Sequence, residues 1–592
     1  MMGRRRAYTW YRVTLDHGRP GGADDRQGGV GQVSLALRYE RITFERRLLE
    51  NAADSVVEGS LTLPSGARPI ARALRLTARP RVKEVEVKED RVIFEGDFDI
   101  DLLYTYYEER QVSRYADPAG DDEAFDDDEA FDDERDEPEV VVEERLARVE
   151  WKDELPFAYV LELPGVAEGQ AVKHRVSVEE SSYEVRSDER TIDVDLSLRF
   201  EAYTQERVVL DVATGVEGVS GVEVDVRPVR VKNQLGRGEG ATEAEGELAL
   251  PERASPPSVV DVQAAADVAD VFVDDGVVRV KGYVSYDILL QGAGEPEGGT
   301  WRRGAAFEAE IPVEGARRGA KAEVHAAAGA TRVSLLEDEA GRRLVVRTPV
   351  ALSVAVVLVR EVPIVTKVSA GDKEVALRHE RINLHECVGE GTATQTADAT
   401  LEIPEGSPGV ERVLTAWAKA VVDDVHVLGD KVAVEVRVDV ESIYVGKERG
   451  DSGVYSVKWP GALTLDVEVP VEGAEPGLER RVHVQVDRVE VDPISRESLD
   501  VRVHLTTHAA VSRDVEVDAV VEAVEVPPQE EDPPTYTFVV VEEGETLWRL
   551  AARYRSETGA IVAVNPWLAQ VEGALPAGKK VCVPRKVMQA TS

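Results

Sequence analysis

Histidine, cysteine and carboxylate side chains could ligate a metal or move a proton, and this sequence places few of them at workable spacing. In HERINLH, His379 and His385 stand six residues apart, unlike the HExxH spacing that sets two ligands over zinc from one helix. His385, Glu386 and Cys387 are adjacent rather than convergent, as at an ordinary strand or turn end. His504 and His508 would share one face of a strand, with no third ligand evident. The sequence has no Gly-x-Ser-x-Gly elbow and no phosphate-cradling P-loop. Its 113 acidic residues are too abundant to nominate a glycosidase pair, and solvated faces account for them. No catalytic residue, metal site or cofactor is expected, and the chain reads as a non-enzyme.

The charge balance narrows the partners. Seventy-one basic residues against the acidic ones leave a net charge of −42 over 592 residues. A chain so acidic repels phosphate backbones and anionic lipid, so nucleic-acid and membrane-surface binding are not expected. The two cysteines, Cys387 and Cys582, cannot staple a chain of this length. Arg4, Arg5 and Arg6 are followed by no apolar stretch before Asp16 and His17, so export by the general secretory route is not expected. The longest apolar run, Val350 to Val359, is about half of what a spanning helix needs. It reads as a strand buried on both faces.

The elements that would carry any site come from an internal repeat. RITFERRLLENAADSVVEGSLTLPSG at Arg41 matches RINLHECVGEGTATQTADATLEIPEG at Arg381, an offset of 340 residues that holds without a gap to Tyr104/Tyr444. A middle copy starts near Val229, and VDDGVVRVKGYVSYDIL at Val273 matches the same segment. The copies span 38–205, 225–362 and 378–525. Within them the period is two: Val92, Phe94, Gly96, Phe98 and Ile100 alternate with charged or small residues, as do Val432, Val434, Val436, Val438 and Val440. That alternation, broken by D-G, E-D and G-D turns, predicts half-buried antiparallel strands. The fold class is mainly β: three repeated antiparallel domains, each a sandwich or partly closed barrel.

Copy one holds an extra acidic stretch, Asp117 to Glu139, which cannot bury enough apolar surface to fold. It reads as a solvated, disordered hairpin tip. A sharper alternative is a weak divalent-cation site or a docking strip using Phe125 and Phe131, although the spacing of an EF-hand loop is missing. Val526 to Pro534 is a stiff proline-rich linker, and 1–37 is an N-terminal segment.

After the linker the pattern changes to β-α-α-β over 535–586. Tyr536 to Val541 reads as a strand, Thr546 as an N-cap, and Leu547, Leu550, Ala551 and Tyr554 as one helix face. Thr558 to Val564 reads as a second helix stopped by Asn565-Pro566. Lys580 to Val583 returns as a strand. This stretch closely resembles a LysM domain, through Tyr536, Val539, Gly544, Glu545, Thr546, Leu547, Trp548, Leu550, Ala551, Tyr554, Ile561, Asn565, Pro566, Leu575, Gly578 and Val583-Pro584. The resemblance implies a small α+β module with a shallow groove for N-acetylglucosamine glycans such as peptidoglycan or chitin. Gly544, Glu545, Thr546 and Leu547 would form one side, with Asn565, Pro566, Trp567 and Leu568 on the other. Several of these residues would equally serve the fold alone, Thr546 as a cap and Leu547 in the core.

Three β copies ending in LysM also resemble the SPOCS-domain, SipL-like proteins of spore-forming clostridia and their relatives. The Glu-Arg-Ile starts at Glu40-Arg41-Ile42 and Glu380-Arg381-Ile382 and the Leu-Pro-Gly-type turns carry that likeness. It implies a spore-envelope assembly scaffold in the mother-cell cytoplasm, at the forespore surface, without membrane insertion. Its implied partner is the coat morphogenetic ATPase. Two alternatives stand beside it: a LysM-targeted cell-wall hydrolase, and a soluble extracellular glycan-binding protein.

Overall fold

Alternating apolar and polar side chains leave the backbone one way to bury a face, which is extended, and strand makes up 79% of the described residues against 4% helix. The computed structural model describes residues 11–14, 35–112, 139–218, 221–250, 257–292, 296–338, 341–371, 373–448, 451–526 and 535–584. Arg4–Arg6, all of the acidic stretch but Glu139, and linker residues 527–534 lie outside them.

After a short strand, β1 (Tyr11–Thr14), the first unit runs β2 (Ala36–Thr62), β3 (Arg72–Lys88), β4 (Arg91–Val112), β5 (Glu139–Glu162), β6 (Val172–Val185) and β7 (Thr191–Glu217). The second runs β8 (Val222–Ala249), β9 (Ser258–Asp274), β10 (Val277–Gln291), β11 (Glu297–Pro312), β12 (Lys321–Ala328), β13 (Arg332–Asp338) and β14 (Gly341–Ala370). The third runs β15 (Glu374–Glu402), β16 (Gly409–Leu428), β17 (Lys431–Glu448), β18 (Asp451–Pro470), β19 (Glu479–Pro493) and β20 (Ser498–Val526).

The three units share one strand order. Strands two to four form an antiparallel meander, β3-β4-β5, β9-β10-β11 and β16-β17-β18. The first strand pairs with the last, and the last with the fifth, giving β2-β7-β6 and β15-β20-β19. In the middle unit β14 pairs with β8, and its other edge holds β12 and β13 end to end. Each pair of sheets closes face to face over its own core, and a bridge from Ala306 to Glu245 links the two sheets of the middle unit.

Period two fills these cores. Phe94, Phe98, Ile100, Leu102 and Tyr104 of β4 are buried, as are Val432, Val434, Val436, Val438 and Val440 of β17. Each such side chain contributes roughly 1.5–3 kcal/mol of burial. Gly96 interrupts the series because the Phe157 ring and the Arg81 carbonyl fill the space of a Cβ. The run Val350 to Val359 corrects an expectation. Val350, Leu352, Val354 and Val356 are buried while Ala351 and Ser353 are exposed, so it is buried on one face. Small alternate residues made a half-buried strand look uniformly apolar.

The first and last strands of each unit hold 27 to 30 residues, against about 5–6 for an ordinary strand. They outrun their sandwiches as two-stranded ribbons, past 205, 362 and 525, in register from Ala36↔Glu217, Val222↔Ala370 and Glu374↔Val526. The ribbons pack on one another. One shared core takes Ile42 and Phe44 from the first, Val229 and Ile364 from the second, and Leu384 and Val517 from the third. A second takes Val216, Val224, Val368 and Val520. A further seam joins the sandwiches through Leu103, Leu289 and Leu414. The units therefore interlock.

Candidate functional site

The C-terminal module is built from β21 (Tyr536–Val540), α1 (Leu547–Arg553), α2 (Thr558–Val564), a 3-10 turn (Pro566–Gln570) and β22 (Lys580–Pro584). β21 and β22 pair antiparallel from Tyr536↔Pro584 to Val540↔Lys580. Val541, Leu550, Ile561, Leu568, Val581 and Val583 form the core. Such a core is small, so polar staples matter.

The turn before α1 is fixed by three such contacts. Gly544 sits at φ +76°, left-handed backbone that glycine adopts without strain. Thr546 caps the helix: its Oγ1 accepts from Arg549 N at 3.2 Å. Glu545 is buried, with Arg553 at 2.8 Å, and its carbonyl accepts from Leu575 N at 2.7 Å. On the other side Asn565 is buried. Its Nδ2 donates to the carbonyls of Ile561 and Cys582 at 2.7 and 2.6 Å, and its Oδ1 accepts from Cys582 N at 3.0 Å, which ties α2 to β22.

The eight residues expected at the groove thus divide. Gly544, Pro566 and Trp567 are exposed, Trp567 at 38%. Thr546 and Leu547 are half-buried, and Glu545, Asn565 and Leu568 are buried. An exposed indole beside a proline is a flat apolar surface of the kind on which a ring-shaped ligand can stack. The buried trio holds the loops that present them.

Sequence reasoning missed where the module rests. Thr546 Oγ1 donates to Glu522 of β20 at 2.9 Å, and Arg555 donates to Glu374 of β15 through its two terminal nitrogens, Nη2 at 2.5 Å and Nη1 at 3.3 Å. The turn expected to meet glycan therefore stands against the third ribbon. Nothing marks Glu522 or Glu374 among so many carboxylates.

The other candidates, Cys582 of β22 apart, lie on the third unit's ribbon and sheet. His379 and His385 face Asp518 and Asp514 at 3.4 and 3.1 Å. His504 and His508 hydrogen-bond Thr396 and Thr392, each at 2.9 Å. Cys387 and Cys582 are free thiols, and burial pushes the Cys387 thiol up. Among the described residues no group of three or more His, Cys, Asp or Glu is placed to hold a metal, and no helix is long and apolar enough to cross a membrane.

Comparison with known families places these elements. The family described as SipL, SPOCS domain, matches residues 69–186 and 409–494, within the first and third units, and the LysM domain matches 539–584. The two SPOCS spans begin 340 residues apart, the repeat offset. No curated protein and no solved structure matches the chain. The first and third units carry SPOCS-domain segments, and the C-terminal module is a LysM domain.

Proposed function

We propose that this protein is a non-catalytic scaffold of spore-envelope assembly, in which interlocked β units carry protein contacts and the LysM module engages N-acetylglucosamine glycan. SPOCS and LysM are binding domains without catalytic function, and together they suggest a sporulation-related, peptidoglycan-binding protein. The observation that carries the reading is the LysM match over 539–584 with Pro566 and Trp567 left exposed beside the buried Asn565 staple.

Glycan recognition fits Gly544, Thr546, Leu547, Pro566 and Trp567 as the contacting set, with Glu545, Asn565 and Leu568 holding their loops. Thr546 already has Glu522 as acceptor, so glycan there displaces that carboxylate or binds alongside it. The body supplies the assembly role, with the coat morphogenetic ATPase as partner and the mother-cell side of the forespore surface as its location. Co-sedimentation with purified peptidoglycan sacculi, run beside a zymogram, tests both halves. Sacculi should carry the full chain down while the zymogram stays opaque. Clearing would point to the hydrolase alternative, and a chain left in the supernatant would remove glycan binding. A fluorescent fusion imaged through sporulation tests the location, and a ring around the forespore is expected.

A further inference from the structure

The LysM module is docked on the body by polar contacts that take up one wall of its groove, with α1 against β20. Thr546 Oγ1 donates to Glu522 of β20, and Glu522 also accepts from Arg378 of β15 at 3.0 Å. Arg555, just past the end of α1, donates to Glu374 of β15 through both terminal nitrogens. The first ribbon joins them, because Tyr39 Oη donates to the Val521 carbonyl at 2.6 Å. Burial first, and then Glu522 beside it, push the Tyr39 hydroxyl up, while Arg549 of α1 and Arg378 act against that shift. We infer that this docking is a latch: the body occupies the Thr546 turn, and glycan must lift the module off to use it. The inference rests on the glycan reading of the module.

Thr546 has one hydroxyl proton, which Glu522 takes, and its oxygen already caps α1 through Arg549 N. A sugar that reaches for that hydroxyl therefore competes with Glu522. The opposite wall stands open, since Pro566 and Trp567 are exposed. The docking contacts are also of a kind that gives way. Neither ribbon core takes in a residue of the module, and the module's core takes in none of the ribbons. Polar interfaces between domains of one chain permit relative motion. Arg549, which acts on Tyr39 across the contact, has its Nε buried without a hydrogen-bond partner among the described residues, and separation gives that donor to water. Only the chain between Val526 and Tyr536 ties module to body covalently, and over so short a tether weak contacts hold the docked state at high effective concentration. The apparent glycan affinity then falls with the released fraction. By linkage, glycan equally uncovers the ribbon surface around Glu374 and Glu522.

Calorimetric titration of the full chain with chitohexaose tests this. Glu374→Arg, which sets a cation against Arg555, should tighten binding by roughly two- to tenfold. Arg555→Glu should do likewise, and the two together, which restore the pair with signs exchanged, should return the affinity to the wild-type value. A second reading needs no variant: the sugar is uncharged, so added salt should tighten its binding to wild type by screening the latch. In Glu374→Arg, where salt screens a repulsion instead, it should not. A wild type that stays silent while Glu374→Arg binds would also support the latch. Weaker binding in Glu374→Arg would make that carboxylate part of the glycan site, and equal binding by all four proteins at every salt concentration would leave the contact without effect. Either result overturns the latch while the glycan reading stands. Binding by none of them would end the glycan reading, and the latch with it.

Discussion

The first and third units match a SPOCS description and the middle unit does not, yet all three share one strand order. The side chains that tie the sheets together also differ. In the first unit Tyr104 Oη donates to the Arg68 carbonyl at 3.3 Å and Trp151 Nε1 to the Thr62 carbonyl at 3.0 Å. In the third, Tyr444 donates to Pro408 at 3.1 Å and Trp459 to Glu402 at 2.8 Å, at repeat-equivalent positions. The middle unit keeps the tryptophan, Trp301, but its tyrosine is Tyr286, which packs on that indole at 5.6 Å and shares a hydrogen bond with Thr348 at 3.0 Å. The turn between the second and third strands differs as well. Asp90 and Asp430, at φ 60° and 57°, each accept from a glycine N–H, Gly165 and Gly473, whereas Gly276 stands there in the middle unit. Backbone bonds around all three turns are the same. Strand order thus outlasts the particular side-chain ties.

That contrast can be broken at several strengths. Trp151→Ala removes a buried indole and its bond to Thr62, and should cost about 3–5 kcal/mol in denaturant unfolding. A loss well under that would mean the indole is no clamp. Tyr444→Phe deletes one hydroxyl and should cost about 0.5–1.5 kcal/mol. Tyr286→Phe should cost about the same if the middle unit's displaced tyrosine does equivalent work, and a far smaller cost would make it filler. Asp430→Gly, which copies the middle unit's turn, should lower stability by about 1 kcal/mol or less, checked by melting temperature.

The smallest effect concerns acid. In the first unit's last hairpin, Arg186 hydrogen-bonded to Asp193 holds that carboxyl low, and backbone N–H groups of Arg190 and Thr191 do so for Asp188. A depressed folded pKa stabilises above the unfolded value, and that contribution is lost as pH falls through the folded one. The third unit's hairpin uses Ser495 and Ser498 instead. Amide exchange should therefore show the 186–193 turn loosening below the ordinary carboxylate range while 493–498 does not. Parallel behaviour of the two turns would contradict this.

How much was legible followed from how local each determinant is. The LysM module could be read residue by residue because Gly544, the Thr546 cap and the Asn565-Pro566 stop act within a few residues of themselves. The strands were legible from period two. The interlocking was not, because Ile42, Val229, Leu384 and Val517 alternate like any half-buried strand, and alternation does not say what covers the apolar face. The same limit blurred the groove. Glu545 and Asn565 sit in the expected loops, but whether a polar side chain faces a ligand or staples the backbone depends on Arg553 and Cys582, eight and seventeen residues away.

Glycan recognition by the exposed LysM loops is the central claim, and titration of the full chain with chito-oligosaccharide tests it most directly. Wild type should bind saturably. Trp567→Ala, folded as judged by circular dichroism, should bind more weakly by about 1–3 kcal/mol, roughly 5- to 150-fold. Absence of wild-type binding, or unchanged affinity in Trp567→Ala, would contradict it.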